Sequence, residues 1–160
     1  MPESDPHRAN PDPVPEGFVP LDFGGPYFRA LGGLHGRRLD GGGLLVGLRI
    51  DERHLNIQGF AHGGMLVTLA DGALGLNIAM ARGQRGAQVT VSMTADYLSS
   101  ARLGDWLEAR VTITRIGRRM AYANCDLHVG SRQVLRSSAV FAFVDRPLQG
   151  DAATATLPDG

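Results

Sequence analysis

Residues 56 to 71 read Asn-Ile-Gln-Gly-Phe-Ala-His-Gly-Gly-Met-Leu-Val-Thr-Leu-Ala-Asp, and they hold the densest set of groups with a chemical use. His62-Gly63-Gly64 falls where a loop becomes a helix. The first amides of a helix have no intrahelical acceptor and lie at the positive end of its dipole. Two glycines let a ligand approach those amides, which can polarise a carbonyl and stabilise an oxyanion. The same three residues can also be no more than a helix entry with His62 as its cap. Asp71 interrupts an otherwise apolar helix, where aspartate is a poor former and rarely buried without a partner. Burial would raise its pKa and make it a better base; full solvation would leave it an ordinary surface charge. Its face of the helix, Gly64, Thr68, Asp71 and Gly75, is small and polar, so both readings stay open. Asn56 in a loop and Thr90 in a strand say little singly, because such residues ordinarily form turns and strands.

Other chemistries lack their residues. His7, His35, His54 and His128 are scattered without metal-ligand spacing and without a carboxylate or cysteine cluster beside them, so no metal site is expected. No Gly-x-Ser-x-Gly elbow occurs. Cys125, the single cysteine, lies on the apolar side of its strand and is expected as a buried, inert thiol. Arg115, Arg118 and Arg119 cluster about a turn, as a solvated charged turn or a contact for an anionic ligand. Lys plus Arg equal Asp plus Glu, so no overall field draws the chain to nucleic acid or to anionic membranes. The N-terminus has no apolar run, and one cysteine cannot form an internal disulfide, so a cytoplasmic location is expected. The apolar segment ending at Ala81 is broken by Asp71, Gly72, Gly75 and Asn77 and is expected to be too interrupted to span a bilayer.

The elements that must position these groups follow from periodicity. Prolines at 2, 6, 11, 13, 15 and 20 predict a flexible tail over 1–20; 21–148 is the folded domain, and 149–160 a second tail. Leu44–Ile50 predicts a strand after Gly41-Gly42-Gly43, and Tyr27–Leu34 a short helix or an irregular stretch. His62–Ala81 is helical, with an apolar stripe of Leu66, Leu69, Ala73, Leu76 and Met80, stopped by Arg82-Gly83. Four segments then alternate with period two: Gln88–Leu98, with Val89, Val91, Met93, Ala95 and Tyr97 on one face; Asp105–Ile116; Met120–Val129; and Gln133–Val144. Turns at Gly117-Arg118 and Gly130-Ser131 make the last three a meander. A sheet with one apolar face needs a cover, and the single long helix is the cover available. The expected class is α+β, an antiparallel sheet wrapped round one helix.

In combination, Asn56, Gly59, His62, Gly63, Gly64 and Asp71 stand in the spacing of the hotdog-fold acyl-CoA thioesterases of the phenylacetic-acid-degradation (PaaI-like) type, which this chain resembles. The resemblance continues through Val89-Thr-Val-Ser-Met-Thr-Ala-Asp-Tyr-Leu-Ser, Arg102-Leu-Gly-Asp and Arg115-Ile-Gly-Arg-Arg, and covers about residues 27–144. It implies hydrolysis of an acyl-CoA to free acid and CoA without a cofactor. Asp71 would be general base or nucleophile, the Gly63 amide would polarise the carbonyl, Asn56 would hold that carbonyl or the water, and Thr90 would position the water. His62, Gly64 and Arg118 would contact substrate. The resemblance further implies a site shared between subunits of a homodimer, with a homotetramer the expected assembly. The small face around Asp71 carries no basic residue, so an apolar or aromatic acyl group is expected. A related branch with Glu on the helix carries Thr one turn on; that position here is Gly75, so the branch does not fit. A non-catalytic acyl-CoA-binding protein on the same fold is the alternative.

Overall fold

The computed structural model describes residues 12–83 and 86–145; residues 1–11 of the first expected tail and all of the second, 149–160, lie outside the described residues. The elements are β1 (Val19–Pro20), α1 (Pro26–Arg29), β2 (Leu34–Arg38), β3 (Leu44–Arg49), a 3-10 turn (Glu52–His54), α2 (Gly63–Ala81), β4 (Ala87–Tyr97), β5 (Trp106–Ile116), β6 (Met120–Val129) and β7 (Arg132–Val144). The strands form one seven-stranded sheet in the order β1-β2-β3-β5-β6-β7-β4, antiparallel at every pairing. The sheet wraps α2, the hotdog arrangement the alternation predicts.

The inner face of the sheet carries Leu107, Ala109, Ala121, Ala123, Cys125, Leu127, Leu135, Ala139 and Phe141, all buried. Against it α2 buries Met65, Leu66, Leu69, Ala70, Ala73, Leu74, Leu76, Asn77 and Ile78. That arc is wider than a stripe because strands contact the helix over much of its circumference; each fully buried large aliphatic there contributes about 1.5–3 kcal/mol. Asn77, polar in this core, is satisfied: its Oδ1 accepts from the Leu44 amide at 2.8 Å, and its Nδ2 donates to the Leu44 and Ala73 carbonyls, each at 2.9 Å. It ties the start of β3 to the helix.

Four expectations need correction. Gly63–Ala81 is in fact long and apolar enough, by length and composition, to cross a bilayer; here it is the wrapped core helix. The stretch from Tyr27 to Leu34 divides into the end of α1, a turn and the start of β2, a strand that the polar run His35-Gly36-Arg37-Arg38 conceals. Residues expected as tail dock instead: Phe18 is buried edge-on to Trp106, ring centroids 5.1 Å apart. Arg49 donates to the Pro13 carbonyl at 2.9 Å, and Val19–Pro20 pairs with β2 as an edge strand, where proline's missing N–H costs nothing. Finally, β4 does not keep one face. Val89 and Val91 are 49% and 56% exposed, because a bulge between Thr90 and Ser92 shifts the register against β7. Thr90 pairs with buried Phe141 and Met93 with buried Ala139, so both point at the helix although their parity differs.

Candidate active site

Asp71 is the one ionisable side chain on α2. It is half-buried, and the Thr90 hydroxyl donates to its Oδ1 at 2.8 Å. No described residue donates to Oδ2, which leaves that oxygen free to accept from a water. The bulge makes this pair: with unbroken alternation Thr90 would share the inward face with neither Met93 nor Tyr97.

Beside the pair opens a cleft of about 330 Å³ whose apolar lining includes Phe23, Phe28, Leu76, Ala79 and Phe141; Asp71, Gln88 and Thr90 supply its polar side chains. Phe28, from α1, sits directly on Gly72, where an added Cβ would lie 2.1 Å from its ring. Gln88 donates from Nε2 to the Gly75 carbonyl at 2.6 Å, and its Oε1 is buried without a partner. The small face of the helix is thus partly filled by the chain's own side chains. Thr68 spends its hydroxyl on the Gly64 carbonyl at 2.9 Å.

The second group of candidates gathers at the start of α2. His62 is the N-cap, its Nδ1 accepting from the Gly64 amide at 2.9 Å, so the capping reading holds. The Gly63 amide, first of the helix, has no intrahelical acceptor. Asn56 folds its loop: Oδ1 accepts from the amides of Gln58 and Phe60 at 2.9 and 3.2 Å, with Gly59 at φ +80° closing the turn. Its Nδ2 has no partner among the described residues. Behind the loop, buried His54 bonds through Nε2 to the Leu31 carbonyl at 2.7 Å and through Nδ1 to the Asp51 amide at 3.0 Å. It holds the end of α1, and with it Phe28, against the loop. A second cleft of about 350 Å³ there includes Tyr27, Arg53, His62, Gly64 and Thr68 in its lining.

The structure therefore brings Asp71 to Thr90 and His62 to Gly63 and Gly64, with Asn56 folding the loop that leads into α2, but keeps the two groups apart. Gly63 and Asp71 are eight residues apart on one helix, about 12 Å along its axis. Arg118 stands exposed at the β5–β6 turn and lines neither cleft. Cys125 is buried as expected, its thiol pushed up to about 12 by burial and then by the Asp126 charge, which keeps it protonated and unreactive. Sequence reasoning missed Phe28, Gln88 and Tyr97, whose phenol donates to the Gly63 carbonyl at 3.1 Å. Their contacts on the helix are tertiary and leave no local pattern.

Comparison with known proteins gives the family. Residues 58–135 match the model of the thioesterase superfamily. A Pseudomonas aeruginosa protein named as an esterase, PA0474, is 45% identical over 128 residues, 80% of this chain and 96% of its own. The mouse acyl-coenzyme A thioesterase 13 is 33% identical over 52% of this chain and 59% of its own. The phenylacetic acid degradation protein PaaI from Thermus thermophilus, solved as a mutant, superposes with a TM-score of 0.66 at 29% identity, over 75% of this chain and all of that one. With the wrapped central helix, the Asn-Gly-His-Gly-Gly-Asp spacing and these relatives agreeing, the chain belongs to the thioesterase superfamily and has its hotdog fold.

Proposed function

We propose that this protein hydrolyses acyl-CoA thioesters, with the Asp71–Thr90 pair beside an apolar cleft as the observation that carries the reading. Asp71 takes a proton from water through its free oxygen while Thr90 holds the other. The water oxygen adds to the thioester carbon, and the oxyanion is received by the Gly63 amide and the Asn56 Nδ2. The C–S bond then breaks, and the departing CoA thiolate takes back the proton held by Asp71, releasing free acid and restoring the carboxylate. The lining of the cleft supports an apolar or aromatic acyl group, and a second carboxylate there would meet Asp71.

The 12 Å between Gly63 and Asp71 supports an intermolecular site, since donor and base must each come within about 3 Å of one reacting centre. Two features support a dimer in which Asp71 and Thr90 face Asn56 and Gly63 of a partner. β4 is an edge strand of 11 residues with an open ladder. On that strand Val89 and Val91 are 49% and 56% exposed, and Ile57 in the Asn56 loop is fully exposed.

The experiment is an acyl-CoA panel read by free thiol, with Asp71→Asn and Gly63→Pro assayed alone and as refolded mixtures. Asp71→Asn should lose about 10²- to 10⁴-fold in kcat. Proline suits the first helical position and removes the amide donor, although the Tyr97 ring, 3.1 Å from a Cβ there, must give slightly. In a two-fold dimer, random mixing restores roughly a quarter of wild-type activity, because half the dimers hold one intact site. Full activity in Asp71→Asn, a preference for succinyl- or malonyl-CoA, or a mixture as dead as its exchanging components would each refute the corresponding part.

A further inference from the structure

We infer that Tyr97 is a positioning residue for the Gly63 amide, an inference that rests on the role of that amide proposed above. The peptide linking Gly63 to Gly64 is held at both ends. Its oxygen accepts from the Tyr97 phenol at 3.1 Å, and its N–H donates to the His62 imidazole at 2.9 Å. Neither bond belongs to the helix ladder. The clamp matters because Gly63 and Gly64 lack side chains to restrain them, and a first helical turn frays readily. The preceding peptide, which carries the Gly63 N–H, is held through the His62 carbonyl, which accepts from the Met65 and Leu66 amides at 3.0 and 3.1 Å. With the following peptide fixed as well, that N–H points out of the helix end. The Tyr97 ring also packs on Gly63, lying 3.1–3.2 Å from where a Cβ would be.

The bulge in β4 permits this. Thr90 and Tyr97 are seven residues apart and would lie on opposite faces of a regular strand. The one-residue shift between Thr90 and Ser92 turns both toward α2, Thr90 onto Asp71 and Tyr97 onto Gly63. One strand thereby holds the acid at mid-helix and the donor at the helix start. Tyr97 is 57% exposed, so its bond adds little to global stability; its effect is local, on the geometry of one amide. Misplacing a reacting partner by about 1 Å can cost as much as ~10²-fold in rate, and a loosened rather than removed donor should cost about tenfold.

The test compares full-length wild type, Tyr97→Phe and Tyr97→Leu in two assays. The first is amide hydrogen exchange of the ligand-free protein: Tyr97→Phe should speed exchange at Gly64, whose N–H is the one bonded to His62, about tenfold, with the rest of α2 and the melting temperature unchanged. The second uses phenylacetyl-CoA and a medium-chain acyl-CoA: kcat should fall about tenfold in Tyr97→Phe and further in Tyr97→Leu, with KM within twofold of wild type. Unchanged exchange at Gly64 overturns the clamp, whatever the activity. Faster exchange with unchanged kcat overturns its purpose, and a raised KM with unchanged kcat makes Tyr97 a substrate contact instead. A wild type inactive on every acyl-CoA would sink the hydrolase reading, while the exchange assay still decides the clamp.

Discussion

Gly72→Ala should destabilise this protein although helix propensity favours it. Inside a helix, alanine is better than glycine by about 0.5–1 kcal/mol. Here the new methyl would stand 2.1, 2.3 and 2.6 Å from three ring carbons of Phe28, where ordinary contact begins at 3.4 Å. The ring must retreat by more than about 1 Å. It has little room, because α1 is a single turn anchored through Leu31 to His54 and Phe28 is buried. Overpacking of this kind costs about 1–3 kcal/mol, so the net loss should be about 1–2 kcal/mol, or a few degrees in Tm for a chain of this length. Trp106, the sole tryptophan, reports urea unfolding at fixed protein concentration. In a Phe28→Ala background the same substitution meets no ring and should be neutral or stabilising, giving a coupling energy above about 1 kcal/mol. If Gly72→Ala stabilises the wild type, or shifts both backgrounds equally, Phe28 does not sit on this helix face and the cleft is built differently.

Two further outcomes follow from packing and burial. Removing residues 1–20 should lower Tm by several degrees, since Phe18 on Trp106, the Arg49 bond to Pro13 and β1 all go, with burial of the phenylalanine alone worth about 2 kcal/mol; an unchanged Tm would show that the docked segment carries no energy. The Cys125 thiol, raised from 9.0 to about 12 by burial, makes stability full below about pH 9, where folded and unfolded thiols are both neutral. That contribution is lost toward about pH 12 by up to ~1.4 kcal/mol per pH unit as the unfolded thiol ionises. Cys125→Ala should flatten that slope in alkaline urea titrations, and an equal slope in the variant would assign it to other groups.

How much could be read from sequence depended on whether an element's determinants were local. α2 shows at both ends, through the His62 cap and Arg82-Gly83, and β5, β6 and β7 show because each buries one face over most of its length, despite register shifts after Ile113 and Leu127. β2 is hidden, since an outer strand needs few apolar residues and Leu34-His35-Gly36-Arg37-Arg38 offers Leu34 alone. The bulge in β4 is hidden for a sharper reason: Val-Thr-Val-Ser-Met-Thr-Ala alternates without fault, and only pairing with β7 shows that one residue is extra. Asp71, Asn56 and Gly63 stand out by their spacing, and the partner of Asp71 follows only from resemblance. Phe28 on Gly72 and Tyr97 on Gly63 join residues far apart in the chain, which no local pattern reports.

A binding protein and a hydrolase on this fold would treat Asp71 differently. A carboxylate beside a thioester adds nothing to ground-state affinity: it repels the carbonyl oxygen and costs desolvation when the acyl group fills the cleft. One hydroxyl, that of Thr90, is its only hydrogen-bond donor among the described residues. A site evolved only to bind would gain from a neutral amide of the same shape, whereas a site that must deprotonate water gains from the charge in the transition state alone. Asp71→Asn should therefore separate kcat from KM, with turnover falling and intact acyl-CoA held at least as tightly as by the wild type. Calorimetric titration of the variant with phenylacetyl-CoA, which it consumes only slowly, measures the second quantity directly. A weakened Kd with turnover intact would make Asp71 a binding group and favour the non-catalytic reading; a tighter or equal Kd with turnover lost is the signature of a base.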